Sequence, residues 1–199
     1  VTFLDANNSG LVEEDFNDTT YSGFRLSARY DVNADWTVDF AYAHQQLDSE
    51  GVFFFDPELD EELAIQRFEE DEIADEFDNV AWTVTGQAGP LELVYTGAFT
   101  DRTTDQQVDY SDYLFVGQYL PYYICDTAVV YPSYTGNSAP TGTCQPPNLQ
   151  VDSITETEVF TQEFRFNTPA EHRLRATAGV FYSDLEFIER NDFLYFGSL

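Results

Sequence analysis

Apolar and polar residues alternate along several stretches of the chain, most clearly over Thr161–Ser183. Phe164 and Phe166 fall on one side of its first strand, opposite Arg165. A polar turn over 168–172 follows, and a second alternating stretch begins after it. Because successive side chains of a strand lie on opposite faces of a sheet, this stretch predicts a β-hairpin with one apolar and one charged face.

In the second strand of this hairpin, apolar residues alternate with arginines. The apolar side carries Leu174, Ala176, Ala178, Val180 and Tyr182, and the other side carries Arg173, Arg175 and Thr177.

Two other stretches repeat this pattern, each around a short turn. The six predicted strands lie near 21–31, 36–46, 79–87, 91–101, 159–167 and 173–184. The pattern therefore predicts an all-β fold, an antiparallel up-and-down meander of about six long strands in three hairpins.

The connections between the predicted strands alternate in length, because short turns alternate with long loops at 47–78 and 102–158. The loop at 47–78 is so acidic that we interpret it as solvated. Loops of this length are unusual inside a compact soluble domain. A transmembrane barrel, in contrast, has short turns on one rim and long extracellular loops on the other. The strands also have about the length that a tilted strand needs to cross a bilayer. We therefore expect the meander to be part of a larger transmembrane β-barrel whose apolar face meets lipid.

The arginines give a further indication, since five of the eight fall on the face opposite the aromatic residues. They are Arg25, Arg29, Arg165, Arg173 and Arg175. In a barrel this face meets a wet lumen, where arginines can pair with Asp39, Glu92 or Glu163. In a soluble sandwich the same face would meet solvent, so this observation fits both folds.

The charge of the chain excludes one class of partner. Its 37 acidic and 8 basic residues give a net charge of −29, which repels nucleic acid. No run of eighteen apolar residues is present, so no transmembrane helix is predicted. In an oxidising compartment, Cys125 and Cys144 are expected to form a disulfide, worth roughly 3 kcal/mol for a loop of about twenty residues.

The sequence shows no catalytic arrangement. His44 and His172 have no nucleophile or cysteine at a suitable spacing, and paired carboxylates carry no information in so acidic a chain. We predict no enzyme activity, no metal site and no cofactor.

The third hairpin also carries a family resemblance. Its motif is Gln162-Glu163-x-Arg165, a turn, and then Gly179-x-Phe181-Tyr182. This motif resembles a mid-barrel hairpin of the TonB-dependent receptors of Gram-negative outer membranes, although Ala176 stands where tryptophan is common. Those receptors are barrels of about 22 strands with a plug in the lumen. The resemblance implies that residues 1–199 are a partial barrel domain, with the plug domain absent from this sequence.

The resemblance also implies a function, the uptake of a nutrient such as a ferric siderophore, cobalamin or an oligosaccharide across the cell outer membrane. The expected partners are outer-membrane lipid, the nutrient, and the TonB complex, which would act through the missing N-terminal part. The candidate ligand-binding residues are Tyr113, Tyr119, Tyr122, Tyr123, Tyr131, Arg165 and Arg175. Two alternatives stay open: a passive porin-like barrel, and a soluble acidic β-sandwich that binds calcium or glycans.

Overall fold

Six long β-strands form one antiparallel sheet in the computed structural model of the chain. The structure describes residues 2–3, 9–59, 63–111, 143–144, 149–169, 171 and 173–195. The strands are β1 (Thr2–Phe3), β2 (Thr19–Asp31), β3 (Trp36–Glu50), β4 (Glu72–Ala88), β5 (Leu91–Asp109), β6 (Thr143–Cys144), β7 (Leu149–Asn167) and β8 (Thr177–Tyr195). The two shortest, β1 and β6, form a separate parallel pair.

The order of strands in the large sheet is β2-β3-β4-β5-β7-β8, and each neighbouring pair is antiparallel. The predicted all-β meander of three hairpins is therefore confirmed. The sheet is not closed, since β2 and β8 lie at its two edges. One turn of 3₁₀-helix, Ser9–Leu11, accompanies it. Among the described residues, no helix is long and apolar enough to cross a membrane.

The strands extend further into the acidic segments than predicted. β4 begins at Glu72, β5 continues to Asp109 and β7 begins at Leu149. The long connections are therefore 51–71 and 110–148. Asp and Glu are weak strand formers by themselves, but these segments pair along their whole length with neighbouring strands, and this tertiary context overrides propensity.

The third turn covers 168–176, and the prediction that its second strand begins at Arg173 is wrong. The backbone N–H of Thr168 donates to the carbonyl of Ala176, and the Thr168 hydroxyl accepts from the N–H of Ala176 at 2.8 Å. Because these bonds close the turn at Ala176, the residues from 173 to 176 lie before β8, and Leu174 is 89% exposed. At its other end, β8 includes the segment after residue 184 that was predicted to lie outside the hairpin.

The large sheet has almost no core. Among the described residues, the buried apolar side chains are Leu149 and Val151, at the end of the sheet where the long connections lie. The described residues provide no second layer over the remainder of the sheet. No residue of the described ranges therefore covers either face over most of its area.

The predicted disulfide is not tested by this fold. Cys125 lies outside the described residues, and the description of Cys144 is limited to its backbone pairing with Phe3. The Cys125–Cys144 bond stays a prediction.

Candidate functional site

One face of the sheet carries most of the large aromatic residues, and we call it the aromatic face. The strand register brings Phe40, Trp82 and Gly97 side by side across β3, β4 and β5 on this face. Toward the short turns, its residues form an apolar band that crosses all six strands. The band comprises Leu26, Ala28, Tyr30, Trp36, Val38, Phe40, Tyr42, Val80, Trp82, Val84, Leu91, Leu93, Tyr95, Phe99, Phe160, Phe164, Phe166, Ala178, Val180 and Tyr182.

The height of the apolar band can be read from β5, where it runs from Leu91 to Phe99. At about 3.4 Å per residue this is roughly 27 Å along the strand. Nine residues lie at the lower end of the roughly 9–11 that a tilted transmembrane strand needs.

Two glycines in this region leave room for the tryptophans. A Cβ atom on Gly97 would lie 2.4 Å from the indole of Trp82, and one on Gly86 would lie 2.2 Å from the indole of Trp36. At both positions the atoms in close approach belong to a tryptophan side chain of the neighbouring strand. Both rings therefore lie flat over neighbouring strands and cover backbone that the glycines leave bare.

Beyond the apolar band, toward the long connections, the aromatic face becomes acidic, and we call this zone the acidic rim. The change occurs within one residue pair, since Val80 and Phe99 are followed by Asp78 and Asp101. The acids of the rim are Asp48, Glu50, Glu72, Glu76, Asp78, Asp101, Asp105, Asp152, Glu156, Glu158, Asp184, Glu186 and Asp192. The same face thus has an apolar zone and a strongly hydrated zone with a sharp border between them.

The opposite face of the sheet, the polar face, carries small and hydrogen-bonding residues at the level of the apolar band. The hydroxyls of Thr83 and Thr96 lie 3.0 Å apart, and the Asn79 amide donates to Thr100 at 2.6 Å. These bonds link β4 and β5 side chain to side chain, so this face satisfies its polar groups without burying them.

The predicted pairing of arginines on the polar face is confirmed for two acids. Arg29 donates to both carboxylate oxygens of Asp39, at 2.7 and 3.1 Å, and Arg165 lies 3.1 Å from Glu163. Glu92 instead accepts a hydrogen bond from the side chain of Asn167. The polar face therefore carries alternating charge.

The separation of the two faces weakens at β8 and at one position of β7. Phe181, Leu185 and Phe187 lie on the polar face of β8 and are exposed. Gln162 interrupts the apolar band on β7, where it pairs with Tyr182. The edge strand β8 therefore has apolar side chains on both sides.

Of the seven predicted ligand-binding residues, the structure describes two, Arg165 and Arg175. Tyr113, Tyr119, Tyr122, Tyr123 and Tyr131 lie outside the described residues. Arg165 lies on β7 near the short turns, sixteen residues after Leu149, the first residue of the strand, which is roughly 54 Å along it. Arg175 is exposed in the turn 168–176 and not on a sheet face, contrary to the prediction. The two described arginines therefore lie at the end of the sheet that carries the short turns, and the ligand site stays a prediction.

The connection 51–71 is held against the sheet by a buried group that the sequence interpretation missed. Arg67 forms two hydrogen bonds to the Asp71 carboxylate, at 2.6 and 2.7 Å, and donates to the backbone carbonyl of Asp109 at 3.0 Å. The side chains of these three residues are 10%, 5% and 1% exposed, respectively. The solvated loop predicted for this segment is therefore wrong where it passes Arg67.

The Asp109 carboxylate completes this group by accepting backbone hydrogen bonds. It accepts from the N–H groups of Phe68 at 2.6 Å and Ser111 at 2.8 Å. Asp71 in turn accepts from the N–H of Asp109 at 3.0 Å. Each buried carboxylate thus has several donors, which offsets the cost of removing its charge from water.

A second carboxylate, Asp75, links β4 to β5 on the polar face, beyond the level of the apolar band. It accepts hydrogen bonds from Arg102 at 2.7 Å and from Thr104 at 2.6 Å. Burial acts to raise the pKa of Asp75, but the hydrogen bonds from Arg102 and Thr104 and the charge of Arg102 outweigh it and keep that pKa below its ordinary value. Asp75 is therefore held as an anion.

At the border of the acidic rim, three potential metal-binding groups converge. His44 Nδ1 lies 3.1 Å from Asp78 Oδ1 and 3.9 Å from Glu76 Oε1. The Tyr42 hydroxyl donates a short hydrogen bond to Asp78, and this bond lowers the pKa of Asp78. The interaction with His44 lowers this pKa further, whereas desolvation acts to raise it. The three donor groups lie within 4.8 Å of one another.

Comparison with known proteins adds no assignment to this geometry. No family model, no curated protein and no solved structure matched the chain.

Proposed function

We propose that this chain forms part of the wall of a transmembrane β-barrel in the outer membrane of a Gram-negative bacterium. The observation that carries this proposal is the apolar band, which crosses all six strands and has no cover among the described residues. Its aromatic face meets lipid, and its polar face meets the lumen.

The exposure of the band argues against the soluble sandwich. A sandwich buries the apolar face of one sheet against a second sheet, and exposed apolar patches above a few hundred Å² are unusual on soluble monomers. Here Tyr30 and Val180 on the band are more than half exposed. Burial in hydrocarbon removes this surface from water without a second sheet.

The two ends of the sheet also differ in the way that a membrane requires. The three short turns lie at one end, and the connections 51–71 and 110–148 lie at the other, next to the acidic rim. Barrels place short turns in the periplasm and long loops outside the cell. The acidic rim then lies in water beyond the hydrocarbon, where its charge carries no desolvation cost.

We further propose that the barrel is an active transporter of the TonB-dependent type, which takes up a nutrient such as a ferric siderophore, cobalamin or an oligosaccharide. Its support is the motif of the third hairpin, whose residues lie opposite one another across β7 and β8. Gln162 pairs with Tyr182, and Arg165 pairs with Gly179. A Cβ atom at Gly179 would lie 2.5 Å from the backbone oxygen of Phe164 and 2.8 Å from the Arg165 side chain, so this glycine makes room for both.

A complete barrel needs further strands, because six are fewer than the eight of the smallest transmembrane barrels. In this proposal, other strands pair with the open edges of β2 and β8. A plug domain encoded upstream of Val1 would distinguish a transporter driven by the TonB complex from a passive porin-like barrel.

Tryptophan fluorescence tests the membrane placement, because both tryptophans lie in the apolar band at different depths. The full chain is refolded into phosphatidylcholine vesicles that carry bromine either near the bilayer centre or near the headgroups. In the Trp36→Phe variant, Trp82 should be quenched most by the central bromines. In the Trp82→Phe variant, Trp36, which adjoins the turn after β2, should be quenched most by the shallow ones.

Equal and weak quenching of both tryptophans by both lipids would exclude lipid contact of this face. A monomeric chain that stays soluble without lipid or detergent would instead support the sandwich.

A further inference from the structure

The register of β3 and β4 assembles a set of side chains that differs from the rest of the acidic rim. His44 lies directly opposite Asp78, and Glu76 lies on the same face two residues before Asp78 in β4. In the part of the chain that the structure describes, these three side chains are the one group of histidine and acidic residues whose potential metal-binding atoms all lie within 4.8 Å of one another. Its formation depends on the β3–β4 pairing alone and not on the membrane placement.

The distances within this set suit a small metal ion. Metal–ligand bonds of about 2.0–2.2 Å in a tetrahedral site place neighbouring ligand atoms roughly 3.3 Å apart. The imidazole nitrogen lies 3.1 Å from Asp78 and 3.9 Å from Glu76, on either side of that value. Small side-chain rotations would therefore bring all three atoms onto one ion.

The chemistry of the donors favours a transition metal over calcium. Calcium takes six to eight oxygen ligands, whereas a neutral imidazole with carboxylates suits zinc and its neighbours in the first transition row. Two carboxylates with one neutral histidine also balance the charge of a divalent cation. The Tyr42 hydroxyl, which donates to Asp78, orients that carboxylate as outer hydrogen bonds do at metal sites.

The neighbouring strands supply a second reason for a cation at this position. Asp78 lies directly opposite Asp101, which lies directly opposite Glu158. Like charges in directly opposed positions destabilise a sheet. A divalent cation at one end of this row offsets the repulsion, and the surrounding negative field concentrates cations there.

We propose that His44, Glu76 and Asp78 bind a divalent transition-metal ion of the zinc type, with the remaining coordination position open to water or an external ligand. The site lies at the border between the apolar band and the acidic rim.

Cobalt(II) absorption and zinc competition test this site. The full chain is folded in detergent micelles with Cys125 and Cys144 alkylated, and Co²⁺ alone is titrated into it. The wild type should show one saturable d–d spectrum that Zn²⁺ displaces. The His44→Ala and Glu76→Gln variants should bind about ten-fold more weakly or worse, since even losing an outer hydrogen bond at a metal site costs 10–100-fold.

Two control variants separate this site from general attraction to an acidic surface. Asp105→Asn removes one charge of the acidic rim, and His172→Ala removes the other histidine of the chain. Both should bind Co²⁺ like the wild type, with unchanged far-ultraviolet circular dichroism in all variants. The proposal is overturned if His44→Ala and Glu76→Gln bind normally, or if Asp105→Asn weakens binding as much as they do. Because Glu76 is exposed, its variant keeps the test valid if His44→Ala fails to fold.

Discussion

Replacing Phe40 with arginine is expected to lower the free energy of unfolding of the membrane-embedded chain by about 2–4 kcal/mol, the cost of arginine near the midplane on a lipid-facing barrel surface. Phe40 lies in the interior of the apolar band, between Ala28 and Trp82 on the neighbouring strands. Urea unfolding from lipid vesicles, followed by tryptophan emission, measures the change.

The adjacent residue provides a matched control. Ala41 lies on the polar face, among Ser27 and Ala81 of the neighbouring strands, so an arginine at this position would enter the proposed wet lumen. The Ala41→Arg change should cost well under half as much as Phe40→Arg. Equal costs at the two positions would mean that the two faces do not have different surroundings.

The second large effect is expected at Arg67, where replacement by methionine should cost about 3–5 kcal/mol, as when one partner of a buried ion pair is removed. The change leaves the carboxylates of Asp71 and Asp109 buried without their cation. Urea unfolding measures the loss of stability, and limited proteolysis should show faster cleavage within 51–71.

An exposed ion pair serves as the control for this prediction. Arg190 and Asp192 lie 2.5 Å apart on β8, and both are largely exposed to solvent. Surface pairs of this kind contribute about 0–1 kcal/mol, so Arg190→Ala should have little effect. If Arg67→Met is equally mild and leaves the proteolysis of 51–71 unchanged, the buried group does not hold the connection.

The alternation of side chains was sufficient to predict the meander, its three hairpins and the composition of both faces. It predicted these features because each strand has one apolar side at the level of the band, as in Phe164 and Phe166 against Arg165. The alternation did not predict a strand where the composition of the segment is typical of a loop. The segment from Glu72 to Asp78 is acidic, yet it pairs with β3 and β5 along its length.

The residues that hold the connection 51–71 could not be predicted from the pattern. Arg67 acts through Asp109, which is 42 positions away in sequence. Arg67 and Asp109 meet because Asp109 is the last residue of β5 and the connection 51–71 passes next to it. A partial signal was present, since Arg67 is an isolated base and Asp71 follows it at the fourth position.

The set His44, Glu76 and Asp78 illustrates a similar limit. His44 and Asp78 are 34 residues apart, and this spacing does not indicate a metal-binding motif in the sequence. It becomes a cross-strand pair only once the register of β3 with β4 is fixed. Strand register, more than residue type, therefore decides which acids of this chain act together.

The most direct test of the proposed lipid contact of the apolar band is a scan of single nitroxide side chains along β5, from Leu91 to Gln107 without Gly97, in vesicles, with Cys125 and Cys144 replaced by serine. Electron paramagnetic resonance then compares collision with oxygen, which concentrates in lipid, and with a water-soluble nickel complex. From Leu91 to Phe99, odd-numbered positions other than Gly97 should favour oxygen and even-numbered ones nickel, and from Asp101 to Gln107 odd-numbered positions should also favour nickel. A profile in which the odd-numbered positions from 91 to 99 favour nickel, or contact neither reagent, would contradict the placement of this face in lipid.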